Sequence, residues 1–197
     1  MASEDRLPLA RKSLEILIDQ LEPRDRVAMV AYAGSAGAVL APTSGAEKLK
    51  MRCALGALHS GGSTAGGEGL ALAYALARQN FDPRAVNRVI LLTDGDFNVG
   101  VADPEKLKDF VAEKRKSGVY LSVYGFGRGN YNDVMMQSLS QNGNGTAGYI
   151  DTLSDYLLRA ALDPAATGAF NNTTLAPAGQ PRVLPELSQA ICAAGPH

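Results

Sequence analysis

The chain has 197 residues, of which 46% are apolar, and this length suits one domain with a sizeable buried core. Its 19 Lys and Arg nearly balance its 20 Asp and Glu, so there is no basic excess that would favour a nucleic-acid partner. Two cysteines and two histidines exclude a disulfide framework and a four-thiolate zinc site, and they leave little material for Ser-His-Asp catalysis. The sequence has no apolar run of about 18 residues, so no membrane span is expected.

Helix and strand patterns alternate along residues 5–162. Apolar residues at helical spacing predict helices over 5–21, 46–58, 67–80, 104–117, 131–140 and 152–162. Strands are predicted over 26–33, 38–41, 87–93, 119–124 and 149–150; the first two form a hairpin whose second strand stops at Pro42 on a sheet edge. The continuously apolar strands are typical of parallel sheets, so the pattern indicates an α/β fold with a mostly parallel sheet flanked by helices on both faces.

The composition changes after residue 163. Residues 164–197 contain five prolines and only two charged side chains, Arg182 and Glu186. We therefore expect one domain over residues 1–163 and a weakly structured tail rich in proline and alanine over 164–197.

Polar residues follow several predicted strands and helices at the edge of the sheet where ligands bind in parallel α/β folds. Thr64 lies in a glycine-rich loop, and Asp94 directly follows the strand at 87–93. A hydroxyl and a carboxylate are oxygen ligands that suit Mg²⁺ or Mn²⁺, so Thr64 and Asp94 are candidate metal ligands. The structural alternative is that Thr64 caps the following helix and Asp94 stabilises a turn.

A second functional class is a phosphate- or nucleotide-binding enzyme that uses the glycine-rich loops. The loop at 61–67 precedes a helix, and Gly125, Gly127 and Gly129 follow a strand. The first loop lacks the lysine of a P-loop, and the second has the spacing G-x-G-x-G instead of G-x-G-x-x-G.

Five long stretches of the sequence carry a family resemblance: LEPRDRVAMVAYAG (21–34), GGSTAGGEGLALAYALA (61–77), NRVILLTDGDFNVGV (87–101), EKRKSGVYLSVYGFGRGNYND (113–133) and GNGTAGYIDTL (143–153). Together they resemble a von Willebrand factor type A (VWA) domain of the bacterial branch. The resemblance implies a Rossmann-like domain with a metal-ion-dependent adhesion site, in which Thr64 and Asp94 match the family's threonine and aspartate. It further implies Mg²⁺ or Mn²⁺ as the ion, a partner protein that offers a carboxylate to it, and binding without catalysis.

The sequence departs from this family at one place, because it contains no Asp-x-Ser-x-Ser motif. In the family that motif ends the first, central strand, so we expect this strand to lie upstream of residue 1 and the chain to be a fragment of a larger bacterial protein. Thr64 and Asp94 alone offer too few of the about six oxygens that Mg²⁺ requires, so the adhesion site is expected to be incomplete. The resemblance implies the cell envelope or periplasm if an upstream signal precedes this chain, and otherwise the cytoplasm.

Overall fold

The structure, a computed structural model, describes residues 6–32, 37–59, 66–94, 104–126 and 133–150. The helices are α1 (Leu7–Gln20), α2 (Lys48–Gly56), α3 (Gly66–Gln79), α4 (Pro104–Arg115) and α5 (Asp133–Asn142); the strands are β1 (Arg26–Ala31), β2 (Gly37–Ser44), β3 (Asn87–Thr93), β4 (Val119–Phe126) and β5 (Ala147–Ile150). The helix predicted at 152–162 and the tail at 164–197 lie outside the described residues. Within the described ranges, no helix combines the length and the apolar character needed to cross a membrane.

A parallel sheet in the order β3-β4-β5 is the centre of the fold. Side chains of β3 and β4 alternate between its two faces. Odd-numbered residues such as Leu91 and Leu121 pack against α3, α4 and α5, whereas Leu92, Tyr124 and Phe126 lie on the other face with the start of α1. The predicted parallel sheet with helices on both faces is confirmed.

The predicted hairpin is also confirmed, since β1 pairs with β2 in antiparallel orientation. The prediction that its second strand stops at Pro42 was wrong, because β2 continues to Ser44. Within the described residues β2 pairs only with β1, and proline is tolerated in an edge strand because its missing N–H is not needed by a second neighbour. Leu40 of β2 is buried with Ile18 of α1 and Met51 of α2, so the hairpin and these helices share a second core.

The hairpin and the parallel sheet are not hydrogen-bonded into one continuous sheet in the described part of the chain. Helix α3 packs against both β1 and β3 and holds them on the same side of the domain. We call the boundary between β1 and β3 the seam. At the seam, β1 and β3 each have one edge that is not paired with a strand among the described elements.

Candidate functional site

The candidate site lies at the carboxyl edge of the parallel sheet, where α1 begins. Ala10, in the first turn of α1, is buried with Phe126 and Ile150, the last residues of β4 and β5. This packing brings the residue before α1, Arg6, to the end of β3. The start of α1 therefore covers the edge at which ligands bind in folds of this class.

Asp94 follows the last residue of β3 and forms an ion pair with Arg6. The distance from Arg6 Nη1 to Asp94 Oδ2 is 3.3 Å, and the two side chains are 28% and 24% exposed. The pair joins residues 88 positions apart in the sequence, so it depends on the tertiary fold. The described part of this edge thus contains a partly buried carboxylate with a guanidinium beside it.

Arg6 was not predicted from the sequence, although one local signal points to it. It occupies the N-cap position of α1, makes no side-chain capping bond there, and is followed by no acidic residue in the first turn. A positive charge is unfavourable at a helix N-terminus because the N-terminal end of the helix dipole is itself positive. An arginine in this position is stabilised by a nearby carboxylate, and in this fold Asp94 supplies one.

The second candidate ligand, Thr64, lies outside the described residues. The glycine-rich loops of the nucleotide-binding alternative, at 61–67 and 125–129, are described only in part: Gly66 and Gly67 begin α3, Gly125 belongs to β4, and the other residues of the two loops, apart from Phe126, lie outside the described ranges. The prediction that Thr64 and Asp94 meet at one site consequently stays a prediction.

Tyr32, the residue after β1, bridges the seam. Its hydroxyl donates a 2.5 Å hydrogen bond to the backbone carbonyl of Leu92 in β3. The N–H groups of Leu121 and Val123 in β4 donate to the carbonyls of Gly143 and Thr146, which lead into β5. Successive residues of a strand point their backbone groups to opposite edges, so Tyr124 points towards β3; because Leu92 is its partner in the parallel register, the Leu92 carbonyl points away from β4, to the open edge of β3. A side chain therefore occupies a position that a backbone N–H of a neighbouring strand would take.

Helix α3 passes close behind this bridge. A Cβ atom added at Gly69 would lie 2.5 Å from the Cβ of Tyr32, far inside a normal contact distance. Glycine at this position lets α3 approach the seam, which keeps the Tyr32 ring between the helix and the strands.

Burial raises the pKa of Tyr32 well above its ordinary value near 10; the hydrogen bond with Thr93 lowers it and the charge of Asp94 raises it. Burial also raises the pKa of Tyr74, whose hydroxyl has no hydrogen-bond partner in the described ranges. Above pH 10 the unfolded chain loses these protons while the folded chain keeps them, so the free energy of unfolding falls as the pH rises. We expect each Tyr→Phe substitution to reduce this alkaline loss, measured by urea unfolding between pH 9 and pH 11.

At pH 7 the two substitutions should differ. Tyr32→Phe leaves the Leu92 carbonyl without its donor and should lower the free energy of unfolding by about 1–2 kcal/mol. Tyr74→Phe removes a buried hydroxyl that lacks a partner among the described residues and keeps the edge-to-face contact with Phe110, so its effect should be close to zero or stabilising. Equal losses for both variants would contradict the role assigned to the Tyr32 hydroxyl.

The described residues do not by themselves form a site for a hard divalent cation. No group of three or more His, Cys, Asp or Glu side chains suited to a metal occurs among them. The Asp94 carboxylate already faces the positive charge of Arg6. Mg²⁺ requires about six oxygens in octahedral geometry, and this arrangement supplies one carboxylate that is paired with a cation.

The family model described as "von Willebrand factor type A domain" matches residues 1–161. The chain is 45% identical over 155 residues to YfbK of Escherichia coli K12, an uncharacterized protein; the match covers 79% of this chain and 27% of YfbK. The chain thus spans about a quarter of the length of that relative.

Solved structures agree on the fold. A von Willebrand factor type A protein from Catenulispora acidiphila superposes with a TM-score of 0.67 and 22% identity, over 83% of this chain and 38% of that one. The manganese-loaded TRAP protein of Plasmodium vivax gives a TM-score of 0.61 and 18% identity, over 80% of this chain and 65% of that one. At these identities the likeness establishes a common fold.

Proposed function

The chain belongs to the von Willebrand factor type A domain family, and we propose that it is a protein-binding module whose metal-ion-dependent adhesion site is incomplete. The observation that carries the proposal is the position of Asp94, a partly buried carboxylate at the carboxyl end of β3. This is the residue that matches the family's aspartate ligand. The function is binding, and the partner is a protein that presents a carboxylate to this edge.

The proposed metal ligands are Thr64 and Asp94, and the ion is Mg²⁺ or Mn²⁺. The manganese in the TRAP protein, which shares the fold, is consistent with a divalent ion in such domains. One carboxylate and one hydroxyl leave most of the coordination sphere to water, so this chain should bind the ion weakly. The missing donors would come from an Asp-x-Ser-x-Ser motif, which the chain lacks.

We propose that this motif ends a further strand that belongs in the seam. The open edge of β3 and the Tyr32 bridge support a parallel strand at this position. Helix α1 begins at the carboxyl edge of the sheet, where a strand parallel to β3 would end. A strand directly upstream of α1 would then need only a short connection, and its last residues would lie beside Asp94.

Titration calorimetry with MgCl₂ and MnCl₂ tests the metal part of the proposal. We expect measurable binding by a form extended upstream with a strand and Asp-x-Ser-x-Ser, and little binding by the chain as it stands. In the extended form, Asp94→Ala should weaken binding at least about tenfold, because even partners outside the first coordination shell contribute about 10–100-fold. Asp109→Ala is the matched control, since Asp109 is an exposed carboxylate on α4. Equal affinity of the Asp94 and Asp109 variants would remove Asp94 from the ligand set.

A further inference from the structure

Arg6 puts a cation where the proposed metal would put one. Its guanidinium, a planar cation, lies 3.3 Å from Asp94 Oδ2. Its Nε is buried and has no hydrogen-bond partner in the described part of the chain. Arg6 therefore stands in an unfavourable position at the N-terminus of α1, and among the described residues Asp94 is an acidic side chain that faces its positive charge.

We infer that Arg6 is the internal counter-charge of Asp94 and competes with a divalent cation for this carboxylate. The inference rests on the proposed function, because it assumes that Asp94 is a metal ligand. In the metal-free protein the Arg6–Asp94 pair neutralises the carboxylate and ties the start of α1 to the end of β3. Metal binding requires the guanidinium to leave.

Electrostatics and distance make the two cations mutually exclusive. A Mg²⁺ ligand oxygen lies about 2.1 Å from the ion, so an ion on Asp94 would lie within a few ångströms of the present guanidinium. Like charges at such a separation repel strongly when they are partly shielded from water. The Arg6 side chain is 28% exposed and so has a way out to solvent. The free energy needed to break the Arg6–Asp94 pair therefore weakens metal binding.

Removing the guanidinium should consequently tighten metal binding. We expect Arg6→Gln to bind Mn²⁺ about tenfold more tightly than the wild type, a change that corresponds to about 1.4 kcal/mol. The probe is Mn²⁺ alone, followed by the loss of the electron paramagnetic resonance signal of the hydrated ion, which detects weak binding. Arg6→Gln/Asp94→Asn should lose the gain.

Arg24→Gln is the matched control for the loss of one positive charge. Arg24 forms an exposed ion pair with Glu22 beyond the other end of α1, and its side chain is 64% exposed. This variant should bind Mn²⁺ as the wild type does. If Arg24→Gln tightened Mn²⁺ binding as much as Arg6→Gln, the gain would come from the change in net charge and not from the Arg6–Asp94 pair, which would overturn the inference.

A second measurement does not use metal. In EDTA, urea unfolding of the wild type, Arg6→Gln, Asp94→Asn and the double variant forms a double-mutant cycle. We expect Asp94→Asn to cost less stability in the Arg6→Gln background than in the wild type, because the Arg6–Asp94 ion pair is already lost. Independent, additive effects would overturn the role of Arg6 as a counter-charge.

The outcomes separate the inference from the proposed function. If the wild type and Arg6→Gln bind Mn²⁺ equally and both lose binding with Asp94→Asn, the competition is wrong and the metal site stands. If only the upstream-extended form binds Mn²⁺ and Arg6→Gln gives the chain no binding, the competition is wrong and the metal site stands. If the upstream-extended form does not bind Mn²⁺ either, the metal part of the proposed function is wrong and the competition falls with it.

Discussion

Gly145→Ala should lower the free energy of unfolding by about 3 kcal/mol, at the upper end of what overpacking usually costs. A Cβ at this position would lie 1.9 Å from the backbone oxygen of Leu121 and 2.5 Å from its carbonyl carbon. The obstacle is backbone of β4, the middle strand of the parallel sheet, so no side-chain rotation relieves it. Urea unfolding of the purified variant measures the loss.

The turn that contains Gly145 has little freedom to move away. The Gly145 N–H donates a 2.9 Å hydrogen bond to the Ser140 carbonyl, and the next residue, Thr146, accepts one of 2.8 Å from the Val123 N–H. Shifting the turn to accommodate a methyl group would weaken both bonds as well as the start of β5. Because β5 ends at the carboxyl edge beside the start of α1, the damage should extend to the candidate site.

Gly56→Ala provides the control for the glycine substitution itself. A Cβ at Gly56 would meet nothing within 4 Å, and the residue closes α2. Alanine favours a helix over glycine by up to about 1 kcal/mol, so this variant should be unchanged or slightly more stable. A small effect of Gly145→Ala, comparable to that of Gly56→Ala, would mean that the turn does not pack against β4 as described.

The sequence predicted the features of the fold and the site that depend on residues adjacent in the chain. The bounds of β3, seven residues long, coincide with the prediction. A continuous apolar run predicts a buried strand, and here that run forms the core of the strand, so the pattern and the strand occupy the same positions. The location of Asp94 follows directly, since it is the next residue. The family resemblance added the expectation that this carboxylate matters.

What escaped prediction depends on contacts between distant parts of the chain. Arg6 and Asp94 are 88 residues apart, and Tyr32 and Leu92 are 60 apart. No periodicity or motif in the sequence indicates that either pair of residues is in contact. The continuation of β2 past Pro42 depended on knowing that this strand has one neighbour, which is a property of the sheet and not of the residues around the proline.

Extending the protein upstream with a strand should raise the free energy of unfolding by about 3 kcal/mol or more. Backbone groups on the open edge of β3 gain partners, and each buried group that lacks one costs about 1–3 kcal/mol. The open edge belongs to a strand whose Ile90 side chain is 38% exposed, so apolar surface is covered as well. The extension consists of six valine and isoleucine residues joined to the start of the chain, a usual length for a strand.

Two variants make the result specific to strand insertion. A proline in the middle of the extension removes a backbone donor and should abolish most of the gain, although the added apolar area is almost the same. Tyr32→Phe should cost less in the extended protein than in the original chain, because an inserted backbone N–H would replace the Tyr32 hydroxyl at the Leu92 carbonyl.

Measurements on the unextended chain can contradict the prediction that a further strand belongs in the seam. A row of unpaired strand edges favours association with other chains, so the unextended protein should associate in size-exclusion chromatography and the extended protein should be monomeric. If the unextended chain is instead monomeric, unfolds cooperatively and is as soluble and stable as the extended form, the seam needs no strand. The Tyr32 bridge and the close approach of α3 at Gly69 would then be sufficient to close the fold between β1 and β3.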